Sequence, residues 1–134
     1  MRMMVDTNVL ISAVYNPRST PARAVFRVCS DHTLVLCDYI IAECYDVLWR
    51  HFPEHIPMMD KLMAELSFET AIAPREPSSL IADPKDAPIL NAAIVAEVDF
   101  IISGDGHFLR LNIERPRVLT PAAYLEHADD MASM

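Results

Sequence analysis

From residue 81 to residue 108 the sequence reads IADPKDAPILNAAIVAEVDFIISGDGHF, and its hydrophobic pattern changes period once. Ile89, Leu90, Ala92, Ala93, Ile94 and Val98 put apolar or small side chains on nearly every face of a helix. Phe100-Ile101-Ile102 is then a short β-branched and aromatic run of the kind that fills a strand covered on both sides. A crossover helix feeding a buried strand leaves few options besides a parallel α/β sheet. The strand ends in Ser103-Gly104-Asp105-Gly106, and the only two glycines of the chain flank Asp105. Glycine permits close approach and unusual backbone angles, so a carboxylate between two of them is expected to be placed for chemistry.

The same alternation runs through the rest of the chain. Met3 to Val5 reads as a short buried strand, residues 7–14 as a helix, and Thr20-Pro21 as an N-cap and first-turn proline opening a helix to about Ser30. Residues 33–37 form a second strand, and Asp38 is a plausible N-cap for a long helix to about His51. A helix over 58–68, a strand over 70–73 and a loop over 74–84 precede the crossover unit. A short helix over 107–111, a strand at Val118-Leu119 and a helix from Thr120-Pro121 to about His127 complete it. The expected fold is a three-layer α/β/α arrangement around a central parallel sheet of four to five strands. A single domain is expected over residues 1–128, followed by a frayed tail at 129–134. Right-handed crossovers bring the C-terminal ends of parallel strands, and the first turns of the helices that follow, to one rim of the sheet.

That rim gathers acids. Asp6 follows the first strand and Asp105 the fourth. Pro88 is tolerated only in a first turn, so its helix begins near Lys85 to Ala87 and sets Asp86 on the same rim, with Asp83 in the approach loop. On the helix from Asp38, the core stripe is Ile40, Ile41, Cys44, Val47 and Leu48. Glu43 falls at the edge of that stripe and reaches the crevice, whereas Asp46 falls on the far side. Each acid alone has a structural explanation as a helix cap or a solvated side chain. Four on one rim repel one another unless a cation compensates, and all-oxygen ligation suits Mg²⁺ or Mn²⁺.

The motifs VDTNVLIS at 5–12, ECYDVL at 43–48, D-x-x-D-x-x-I-L-x-A-A at 83–93 and IISGD at 101–105 occur in order and at fitting distances. Over roughly residues 3–125 the chain resembles the PIN-domain family, and more narrowly the PIN-type toxins of toxin–antitoxin pairs (VapC-like). The resemblance implies a metal-dependent endoribonuclease with Asp6, Glu43, Asp86 and Asp105 at the acidic positions and one or two Mg²⁺ or Mn²⁺ ions. Asn8 and Ser103 match the supporting polar positions, with Ser103 in place of the more usual threonine. It also implies a small antitoxin protein as partner. The family contains inactive members, so the alternative is a catalytically silent module that binds RNA or a partner protein. Haloacid-dehalogenase-type phosphatases want a second Asp two residues after the first, where this chain has Asn8, and a receiver-like acceptor lacks its aspartate and lysine.

Net charge is 11 − 19 = −8, which opposes broad non-specific binding to nucleic acid. Arg18, Arg23 and Arg27, Lys85 beside Asp86, and Arg110 read as solvated surface groups or as local contacts to RNA phosphates near the rim. His107 reads as a loop residue more than an acid–base group. Met58, Met59, Leu62, Met63 and Leu66 form a stripe read as core or as the contact of a homodimer or antitoxin. Cys29, Cys37 and Cys44 lack metal or disulfide spacing and read as reduced thiols. No apolar run approaches the roughly 18 residues of a membrane helix, and a cytoplasmic location is expected.

Overall fold

The computed structural model describes residues 1–74 and 85–133. The loop expected over 74–84, with Asp83, lies outside these apart from Pro74. Among the described residues, five parallel strands form one sheet in the order β3-β2-β1-β4-β5. They are β1 (Arg2–Val5), β2 (Thr33–Cys37), β3 (Phe68–Ala71), β4 (Phe100–Ile102) and β5 (Arg117–Leu119). The helices are α1 (Thr7–Tyr15), α2 (Thr20–Asp31), α3 (Asp38–His51), α4 (Ile56–Glu65), α5 (Ala87–Val95), α6 (Gly106–Leu109) and α7 (Pro121–Ala132), with a 3₁₀ turn at Pro53–His55. This is the expected parallel α/β sheet.

β1 is the central strand because its three apolar residues tolerate burial on both faces. Met3, Met4 and Val5 are fully buried, pairing Met3 with Leu34 on one side and with Phe100 on the other. From β1 the chain moves outward through β2 to β3; from β4 it moves the opposite way to β5. Right-handed crossovers in opposite directions put helices on opposite faces of the sheet. They also make the gap between β1 and β4 the switch point, where the loops diverge and leave a crevice.

Two expectations are revised and a third is narrowed. The stretch 129–134 is not a frayed tail as far as it is described: α7 runs to Ala132, because Met131 extends the buried stripe of Tyr124 and Ala128. The stripe on α4 is mainly core, since Met59, Leu62 and Leu66 are buried and Met58 stands exposed. Asp38 is the first residue of α3 rather than its N-cap. Its carboxylate accepts from the backbone N–H of Tyr39 and, 2.8 Å away, from that of Ala73 beyond β3. No described helix is long and apolar enough to cross a membrane.

The end of α5 yields a stability prediction. Val98 N–H donates to Ala93 C=O at 2.9 Å and Glu97 N–H to Ile94 C=O at 3.1 Å, the pairing of a Schellman turn. Glu97 occupies its left-handed position with φ 56°, where glycine has no Cβ penalty. Glu97→Gly is expected to stabilise the protein by up to about 1 kcal/mol, read as a higher urea midpoint; a lower midpoint would contradict this account of the turn.

Candidate metal centre at the switch point

Asp6 leaves β1 at the switch point, where its N–H donates to Ile102 C=O at 3.1 Å and ties the ends of β1 and β4 together. It is the N-cap of α1, accepting from Val9 N–H at 3.2 Å through one carboxylate oxygen. The other oxygen accepts from the Ser103 hydroxyl at the end of β4. Ser103 Oγ in turn accepts from Asp105 N–H at 3.0 Å. One fully buried serine thus couples two acids on different strands.

Asp6 is only 4% exposed. Burial pushes its carboxyl up to about 6, opposed by the bonds from Ser103 and Val9 and reinforced by the nearby charges of Asp105 and Glu43. Burial outweighs like-charge repulsion here, the reverse of the emphasis that clustering alone implies.

Glu43 lies on α3, half-buried, and accepts from the Thr7 hydroxyl in the first turn of α1. Thr7 was not among the sequence candidates. A hydroxyl directly after Asp6 in a helix's first turn was the available signal. Asn8 is exposed, and no hydrogen bond to an acid is found for it among the described residues. Asp46 points outward and pairs with Arg50 at 3.2 Å.

Asp86 occupies the N-cap position of α5, yet its side chain does not cap the helix. It faces His107, whose Nδ1 lies 3.6 Å from Asp86 Oδ2 and 3.3 Å from Asp105 Oδ1. One ligand atom from each of Asp86, Asp105 and His107 falls within 4.8 Å of the other two, a separation that a single ion can bridge. The expectation for His107 as a loop residue is therefore revised. It sits in α6, and His107 N–H donates to Asp105 Oδ1 at 2.7 Å, so one short cap fixes both residues. Of the two roles expected of the glycines, unusual backbone angles are absent, since neither has positive φ, whereas close approach is present. Gly104 leaves open space beside Asp105, and Gly106 allows the Arg110 guanidinium to approach, 2.7 Å from where a Cβ would stand.

The basic candidates divide. Arg110 and Lys85 lie next to the centre, Lys85 being exposed beside Asp86. Arg18 is exposed in the loop after α1, and Arg23 is exposed on α2. Arg27 is engaged by Asp31 and, at 2.7 Å, by Asp129. It lies near the C-terminal end of α2, which leads into the start of β2 and hence to the edge opposite the acidic rim. Two carboxylates there already neutralise the charge offered to phosphate.

The donor set fits a divalent cation: carboxylates plus one imidazole, with one acid held ionised against burial at neutral pH. The sign of that burial gives a measurable consequence. The Asp6 carboxyl rises from 3.8 to about 6 on folding, so its ionised form destabilises the metal-free protein above pH 6, and the penalty lifts as pH falls toward 4. Asp6→Asn is expected to stabilise metal-free protein by about 1–3 kcal/mol at pH 7, with the gain vanishing near pH 4. Denaturant melts in chelator at both pH values measure it, and a pH-independent difference would contradict the burial argument.

A family model for the PIN domain matches residues 2–107. None of the curated proteins matches the sequence. Among solved structures, the fold is similar to a chain in the crystal structure of VapBC2 from Rickettsia felis bound to a DNA fragment from their promoter. That similarity has a TM-score of 0.68 and 14% identity, covering 90% of this chain and 98% of that one. At that identity the likeness is one of fold. The family match takes in every strand of the switch point and all four acids with His107, and this chain belongs to the PIN-domain family.

Proposed function

We propose that this chain is a metal-dependent endoribonuclease, using Mg²⁺ or Mn²⁺ at the switch-point crevice, and the toxin member of a toxin–antitoxin pair. The observation that carries the proposal is the convergence of Asp86 and Asp105 within bridging distance of one ion, beside a buried Asp6. Among the described residues at the acids, no side-chain nucleophile competes. Ser103 is buried and donates to Asp6, and burial pushes the thiols of Cys37 and Cys44 up, away from thiolate.

A divalent ion supplies Lewis acidity at the scissile phosphate and makes water a better nucleophile at neutral pH. The protein's own residues do the positioning. Ser103 and the α1 cap hold Asp6, Thr7 holds Glu43, and the α6 cap holds Asp105. Space over Gly104 admits the backbone of RNA, and the Arg110 guanidinium over Gly106 stands ready for a phosphate.

The antitoxin reading rests on surface as well as on the similar fold. Ala13, Val14, Pro17, Phe26, Met58 and Leu62 line an apolar groove of about 170 Å³ between α1, α2 and α4, with Lys61 and Glu65 also lining it. Phe26 and Met58 are exposed there, and an amphipathic segment of a partner fits such a groove. Second copies of the chain would compete for the same apolar surface, and light scattering on the isolated protein separates a homodimer from a monomer.

Asp86→Asn and Asp105→Asn are expected to lower metal-dependent RNA cleavage at least about 100-fold with the fold intact, while Asp46→Asn stays near wild type. A folded wild type that cleaves no RNA in Mn²⁺ would leave the silent-module alternative standing. Met58→Lys is expected to abolish co-purification with the product of the adjacent gene while leaving cleavage unchanged; undiminished co-purification would remove the groove from the interface.

A further inference from the structure

We propose that His107 Nδ1 is a direct ligand of the ion held by Asp86 and Asp105, and that this nitrogen makes the centre prefer Mn²⁺ to Mg²⁺. The inference rests on the metal-dependent reading above and supplies what that reading leaves open, the identity of the ion.

The geometry is that of an incomplete coordination shell. Ligands in adjacent positions of an octahedron, each roughly 2.1 Å from the ion, stand roughly 3 Å from one another. The imidazole Nδ1 lies 3.3 Å from Asp105 Oδ1 and 3.6 Å from Asp86 Oδ2, slightly wider than such edges. All three ligand atoms lie within 4.8 Å of one another, and shifts of a few tenths of an ångström bring Nδ1 to such an edge with either carboxylate. The three residues come from two structural units that the fold fixes separately. Asp86 is set by the start of α5, whose Ala87, Ile89 and Leu90 are buried. Asp105 and His107 are set by α6, which the buried Phe108 anchors and the 2.7 Å bond from His107 N–H to Asp105 Oδ1 caps.

The chemistry of the donor set then selects. Mg²⁺ is a hard ion that favours oxygen and retains water, whereas an imidazole nitrogen raises affinity along the first transition series. An all-carboxylate rim would hold either ion; a rim with one imidazole favours the transition metal. His107 is also only partly exposed, its side chain at 38%, so it can reach an ion without leaving its helix.

Pulsed electron paramagnetic resonance on full-length, metal-free protein loaded with Mn²⁺ reads the bond directly, as modulation from a coordinated ¹⁴N nucleus. Calorimetric titrations with Mn²⁺ and Mg²⁺ give the preference. Wild type is expected to show the nitrogen modulation and to bind Mn²⁺ at least about tenfold more tightly than Mg²⁺. His107→Gln should lose the modulation and most of the preference, with Mg²⁺ affinity nearly unchanged; the wild-type spectrum stands as evidence even if that variant folds poorly. Mn²⁺ bound by wild type, removed by Asp105→Asn, yet showing no nitrogen modulation would overturn the role of His107 and leave the metal-dependent reading intact. No Mn²⁺ binding by wild type would overturn both.

Discussion

A hydroxyl-to-carboxylate hydrogen bond across the switch point, Ser103 to Asp6, is the contact on which the rest of the site depends. Both partners are buried, and they sit at the ends of the two strands where the sheet changes direction. Asp6 would be costly to ionise there alone. Ser103 and the Val9 N–H lower that cost without removing it, and the carboxyl remains pushed up to about 6. The same serine accepts from the backbone of Asp105. Displacing it would therefore loosen two acids and the turn that carries them.

Around this contact the acids are held by different means, and the differences matter for chemistry. Asp6 and Asp105 cap helices, so part of their bonding capacity is spent on backbone N–H groups. Glu43 is held by Thr7 from the neighbouring helix. Asp86 stands at a helix start without capping it and faces His107. Each of these acids is thus fixed at a strand end or on a helix beside the switch point. Metal binding to such a centre would relieve the burial and repulsion that the metal-free protein carries, which would link affinity to stability.

Periodicity made much of this legible. The shift from a helical to a strand pattern around Glu97 located α5 and β4, and the phase of α3 separated Glu43 from Asp46, which pairs outward with Arg50. Pro88 fixed where α5 begins, and hence the rim position of Asp86. What escaped the sequence depends on contacts between distant segments. Thr7 gains its importance from Glu43, thirty-six residues away, and His107 from Asp86 at the start of α5. Arg27 carries the right charge but meets Asp129 from α7, a partner that no local pattern announces. The acidic pair at 129–130 disguised a continuing helix whose apolar face, Tyr124, Ala128 and Met131, keeps its spacing. The glycines flanking Asp105 were expected to give unusual backbone angles or close approach, and only the second is found, in the approach of Arg110 to Gly106 and the open space at Gly104.

The central claim is that the crevice between the ends of β1 and β4 is a divalent-metal centre. Anomalous diffraction from crystals equilibrated with Mn²⁺ at millimolar concentration tests it most directly. The account predicts a strong anomalous peak within bonding distance of Asp86 and Asp105, beside Asp6. A data set with no peak there, or with Mn²⁺ found only at surface carboxylates elsewhere, would contradict it.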